Sequence, residues 1–224
     1  MKKSKDEVVE SIFSVDRSAF SDLGKRTIEI IHSYLNDLPF LPVDPKVPDS
    51  QRKFLSNLEL PKQGMTSEEI IAFIEEQILP WPQPIGHQRS YGWVNSPPLP
   101  ISILATTISQ SMNCSLDGYD YSGIFLMVSI GKWLMELTQF PETKESMALL
   151  FSGGTAANLN ALTTARYWAA KEDGWNLRNE GLQANKPKMI AYASSQVHSS
   201  IQRCIEQLGI GSNNLRNVNV DSNF

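Results

Sequence analysis

The sequence predicts an α/β protein, part of a parallel sheet covered by helices and preceded by a helical arm. Three observations predict it. From residue 146 onward, short apolar runs ended by glycine or other turn residues alternate with helical stretches: "SMALLFS", "NLNALTTARYWAAKEDG", "KPKMIAYAS", "SQVHSSIQRCIEQLG" and "LRNVNVD". Such alternation implies parallel strands with helices on their faces. Ahead of it stand two amphipathic helical stretches joined by a proline-rich strap. The 224 residues, 41% of them hydrophobic, supply core for one large domain, or for one plus an appendage.

The first helix runs from Asp16 to Leu38, with Phe20, Leu23, Ile31, Tyr34, Leu35 and Leu38 recurring at spacings of three and four. "LPFLPVDPKVPDSQRK" then reads as an extended connector, because proline has no N–H with which to continue a helix. The second helix, "TSEEIIAFIEEQILP", opens with Thr66 and Glu69 at capping-box spacing. It carries Ile70, Phe73, Ile74 and Ile78 on one side and is stopped by Pro80 and Pro82. Two such helices cannot build a core of their own, so residues 1–86 read either as an arm that docks on another subunit or as a helical subdomain packed on its own chain. Residues 87–224 form the second region. In it, "IFLMVSIGKWLMEL" reads as a buried helix, "SMALLFS" as a buried strand, and Gly174 and Gly209 as helix stops.

Composition narrows the function. A formal net charge of −4 gives no basic surface for a nucleic-acid backbone. The N-terminal "MKKSKDEVVESIF" lacks the apolar run of a signal peptide, since Asp6, Glu7 and Glu10 interrupt it, and the longest apolar stretch is too short and too broken to span a bilayer. A cytoplasmic protein is expected. Cys114 and Cys204 have no metal-ligand spacing and read as buried thiols in a reduced compartment, so no metal is expected. The "NCS" at Asn113 matches a glycosylation sequon that has no secretory route to serve it.

The segment "LLFSGGTAANLNALTTAR" carries the chemistry. A helix start leaves backbone N–H groups unpaired and partly positive, which suits an anion. Gly153 and Gly154 allow close approach, Thr155 adds a hydroxyl donor, and Ala156 and Ala157 leave room. No Lys-Ser/Thr pair follows Gly154 as a P-loop requires, and Asn158 stands near the place where a dinucleotide fingerprint has its third glycine. The residues by themselves fit a phosphate monoester or a tight turn without ligand.

The same segment resembles the phosphate-cradling turn of the group II pyridoxal-phosphate-dependent amino-acid decarboxylases, the aromatic-amino-acid, histidine and glutamate decarboxylase family. Three further stretches resemble that family in order: "GKRTIEIIHSYLNDLPFLPV" with "SEEIIAFIEEQILPWPQPIGHQRSYGWV", then "MIAYASSQVHSSIQRCIEQLGI", then "LRNVNVDSNF". The resemblance runs from about Phe13 to Phe224 and departs at Ile124, Phe125 and Leu126, where the family commonly shows an acidic pattern. It implies the N-terminal part of the fold type I large domain, aspartate-aminotransferase-like, with a helical N-terminal arm and a truncated sheet.

The resemblance also implies roles. Pyridoxal 5'-phosphate would place its phosphate on Gly153, Gly154 and Thr155, and His198 would stack on its pyridine ring. Trp93 falls near the substrate pocket, although a core tryptophan is the alternative. His87 matches a family histidine of open role, followed here by Gln88 where proline is usual. His32 reads as an ordinary helix histidine. The cofactor is an electron sink that stabilises the carbanion left by CO2 loss from an L-amino acid. The family's lysine that carries the cofactor and its aspartate that pairs with the pyridine nitrogen are expected beyond the segment resembling "VNVDSNF". None of the twelve lysines present stands in that lysine's context. Two expectations follow: a decarboxylase portion that is inactive until completed, by a longer product or by a second chain supplying the C-terminal half; or a non-catalytic assembly or regulatory partner or relic product of a decarboxylase gene. A homodimer with exchanged arms is expected of the complete enzyme.

Overall fold

The computed structural model describes residues 16–115, 120–182 and 186–223. The stretch read above for the lack of a signal peptide falls outside them. The chain divides into two compact units, Met1–Asn113 and Cys114–Phe224.

In the first unit, α1 spans Arg17–Asp37 and begins where Asp16 accepts a hydrogen bond from the Ala19 N–H at 2.8 Å. A short 3₁₀ turn, Leu38–Phe40, follows. The proline strap is extended only as far as Pro48. Its last residues turn into α2, Asp49–Ser56, because proline fits just before a first helical turn, where no N–H is needed. α3, Ser67–Phe73, opens on a complete capping box: the Thr66 hydroxyl accepts from Glu69 N–H, and the Glu69 carboxylate accepts from Thr66 N–H. It continues into a π-helical turn, Ile74–Ile78, whose wider loop brings Leu79 N–H onto the Ile74 carbonyl at 2.9 Å. Gln51 of α2 donates to the Gln77 carbonyl at 3.0 Å, and Arg26 of α1 meets Glu75 at 3.2 Å. α4, Pro100–Met112, completes the unit and ends at Asn113 in the left-handed conformation.

The covered stripes differ from those expected. On α1 the half-covered residues are Leu23, Thr27, Ile30, Ile31, Tyr34 and Leu35, leading to buried Leu38, while Phe20 is open. On α3 only Phe73 of the expected face is partly covered, lying near Phe54 at 6.3 Å between ring centres; Ile70, Ile74 and Ile78 form an exposed row. The i, i+4, i+8 spacing aligns those three along one edge.

In the second unit, α5 spans Ser122–Leu137, α6 Gly154–Glu172, α7 Leu177–Glu180 and α8 Ser199–Gln207. The strands are β1, Ala191–Ser194, and β2, Leu215–Val218. β1 and β2 pair in parallel, Ala191 opposite Leu215 and Ser194 opposite Val218, as the alternating pattern predicts. Gly174 and Gly209 follow α6 and α8 with positive φ, the left-handed exit that glycine takes most cheaply. The core lies under α6 and α8. Ala170, Trp175 and Leu177 pack with Met189, and Cys204, Ile205 and Leu208 are buried on α8.

Three expectations are corrected here. Residues 146–152 run without strand pairing among the described residues, since a strand is defined by the ladder it makes with a neighbour. α5 forms but is not enclosed. It is apolar on every side, and only its Gly131 and Met135 positions are buried, while Phe125, Leu126, Trp133 and Leu137 are open. Cys204 is buried with a free thiol, whereas Cys114, just past the end of α4, is exposed. No helix among the described residues is long and apolar enough to cross a membrane.

Candidate functional site

Two helix starts meet at one end of the second unit. Asn158, in the first turns of α6, donates to the Ser200 hydroxyl at the start of α8 at 3.0 Å. Eight residues further along each helix, Arg166 donates to the Leu208 carbonyl at the end of α8. Both links join positions 42 residues apart, so the helices run side by side in the same direction. Their partly positive N-termini therefore converge. β1 leads into the α8 start through residues 195–198, which puts that end at the carboxyl edge of the strands, where α/β sheets place ligands.

The glycine turn opens α6. Gly153 is its N-cap and supplies no side-chain cap, and the first intrahelical bond runs from Ala157 N–H to the Gly153 carbonyl at 3.1 Å. The N–H groups of Gly154, Thr155 and Ala156 thus have no partner within the helix. Neither glycine has a φ in the left-handed region, and a Cβ built on either would meet nothing within 4 Å. Their own conformation does not require glycine, and neither does packing. What the missing side chains leave is an open, bare-backbone approach to unpaired donors. That arrangement fits a phosphate, so the residues present fit the phosphate end of pyridoxal phosphate.

His198 is the N-cap of α8. Its Nδ1 accepts from the Ser200 N–H at 3.1 Å and lies 2.9 Å from the Ser200 hydroxyl. The ring is exposed, and Ser200 is only 2% exposed. His198 also borders a hollow of about 220 Å³ with Val197, Gln202 and Asn217. The structure thus connects the glycine turn to His198 through the Asn158–Ser200 contact. Both linking residues were missed as site residues. Asn158 entered the sequence reading only as a mismatch to another motif. The repeated serine after His198 was the signal for Ser200, because a hydroxyl two residues past an N-cap sits within reach of it.

His87 and Trp93 belong to the first unit. His87 is 2% exposed, its Nδ1 accepts from Arg89 N–H at 3.0 Å, and its Nε2 is buried without a partner among the described residues. Trp93 is 80% exposed, and it holds a φ of 67°, uncommon for a bulky side chain. His32 lies on the exposed side of α1 beside Asn36, as read.

No family model matches the chain. It is 25% identical over 174 residues to the human acidic amino acid decarboxylase, covering 78% of this chain and 32% of that protein. It is 22% identical over 204 residues to an aromatic-L-amino-acid decarboxylase of Bacillus atrophaeus, covering 90% of this chain and 40% of the relative. Among solved structures, that of Oryza sativa TDC with PLP and tryptamine superposes with a TM-score of 0.76 at 16% identity, over 95% of this chain and 46% of the other. The chain spans well under half the length of these curated relatives. The shared fold is the N-terminal part of the fold type I large domain, preceded by a helical arm.

Proposed function

We propose that this chain, whose curated relatives over most of its length are group II pyridoxal-phosphate-dependent amino-acid decarboxylases, forms the phosphate-binding part of a decarboxylase active site acting on an L-amino acid. The observation that carries this is the uncapped start of α6, where two glycines that neither conformation nor packing demands leave unpaired N–H donors beside the start of α8. Gly153, Gly154 and Thr155 bind the phosphate, and His198 covers the ring. The bound cofactor supplies the electron sink for loss of CO2. The chain's own contribution is to seat and orient it: the two converging helix starts favour the phosphate dianion, and the imidazole limits the ring's tilt.

On the family resemblance, Trp93 and His87 contribute to the substrate pocket of the complete enzyme. Residues 1–86 act as an arm exchanged in a cytoplasmic homodimer, and residues 87–224 as the cofactor-binding region. The uncovered row Ile70, Ile74 and Ile78 supports the exchange, because an apolar edge of this kind is stabilised by a second subunit.

The test is a titration of pyridoxal phosphate into the 224-residue chain, followed by cofactor absorbance and tryptophan quenching. It is accompanied by measurement of CO2 released from carboxyl-labelled acidic and aromatic amino acids by the chain extended to the length of its relatives. Saturable binding and CO2 release are expected. Absence of both would overturn the reading.

A further inference from the structure

The contacts around His198 settle where its proton must sit. A neutral imidazole has one donor and one acceptor nitrogen. Nδ1 of His198 receives the backbone N–H of Ser200 at 3.1 Å, so it is an acceptor, and the Ser200 hydroxyl 2.9 Å away must be donating to it. That hydroxyl has a single hydrogen. Asn158 Nδ2 donates to the hydroxyl oxygen at 3.0 Å and so cannot accept that hydrogen, which is left for Nδ1. Ser200 is 2% exposed, on the same helix as fully buried Cys204 and Ile205, so water cannot replace either partner. Nε2 of His198 has no protein partner among the described residues, and the ring is exposed.

We propose that Ser200, braced by Asn158, fixes the tautomer of His198, confining the ring proton to Nε2 and presenting that atom as the one donor available to a ligand. Ser200 and Asn158 are positioning residues. Their role at the cofactor rests on the reading above: a neutral ring lies against the cofactor, and its Nε2–H donates to an acceptor oxygen of the bound ligand. The link also ties the orientation of His198 to α6, the helix whose start seats the phosphate.

The test is long-range ¹H–¹⁵N correlation of ring nitrogens in the histidine-labelled 224-residue chain, with the His198 signals identified by their loss in His198→Gln. The wild type is expected to show Nδ1 unprotonated and Nε2 protonated. Ser200→Ala should lower the Nε2–H to Nδ1–H ratio about tenfold, the weight of one hydrogen bond. Ser200→Thr, which keeps the hydroxyl, should restore it. Asn158→Asp, which draws the Ser200 O–H toward a carboxylate, should lower the ratio as well, and it carries the test if Ser200→Ala does not fold. A wild-type proton on Nδ1, or a ratio unmoved in either weakening variant, overturns the proposal. Pyridoxal phosphate is then added: if the His198 signals do not move, the cofactor reading fails while the tautomer assignment stands.

Discussion

At Gly154 a carboxylate acts in opposite directions on folding and on cofactor binding. The position is the first residue of α6, and an added side chain there meets nothing within 4 Å. Gly154→Asp therefore costs no packing, and a negative charge at a helix start favours the helix by roughly 0.3–1 kcal/mol. The same charge repels a phosphate dianion. The expected outcome is unchanged or slightly raised thermal stability together with at least about tenfold weaker binding of pyridoxal phosphate. Equal affinity in the two proteins would remove the phosphate assignment. This separation was legible in the sequence only as far as the residue types. "SGGTAAN" gave the glycines and the helix start, but it took the backbone angles and the empty surroundings to show that neither glycine is there for its own turn. The Asn158–Ser200 contact was invisible for a simpler reason: its partners lie 42 residues apart, and no local period reports a contact between two helices.

Among the elements, α3 and α5 show what local sequence does and does not determine. The capping box at Thr66 is a matter of three residues' spacing, so it was readable and is present. Thr66→Ala should destabilise the first unit by about 1 kcal/mol, measured by urea unfolding. The Thr66 backbone N–H, and then its hydroxyl, hold the Glu69 carboxyl below the usual carboxylate range. With the folded value depressed, this contribution is fully present above the unfolded carboxylate pKa and is lost as pH falls through the folded one. Wild type and Glu69→Gln should therefore differ most near neutral pH and converge in acid. The fate of α5 was not readable, because its apolar residues surround the helix and burial depends on which neighbours arrive.

Where a neighbour does arrive, the consequence is specific. A Cβ on Gly131 would lie 2.9 Å from the Ala148 carbonyl oxygen, whereas one on Gly24 of α1 would meet nothing. Alanine in a helix gains about 1 kcal/mol over glycine, and forced overlap costs about 1–3 kcal/mol. Gly24→Ala should thus stabilise, and Gly131→Ala should not, destabilising by up to about 2 kcal/mol. A denaturant series on both variants checks the signs.

Across the whole molecule, the parallel pair β1–β2 and the helices α6 and α8 came directly from the alternating pattern, while the segment 146–152 did not become a strand. The difference is physical: apolar content announces a wish to be buried, but a ladder needs a second backbone, and none pairs with that segment among the described residues. The apolar faces left open on α5 and α6 include Trp133 and Trp168, whose side chains are 59% and 62% exposed, while Trp175 is enclosed at 5%. The chain thus carries its own optical gauge. Indoles in water emit toward the red and enclosed ones toward the blue, so any polypeptide that seals the faces of α5 or α6 would shift the emission colour, and the docking could be watched without attaching a dye.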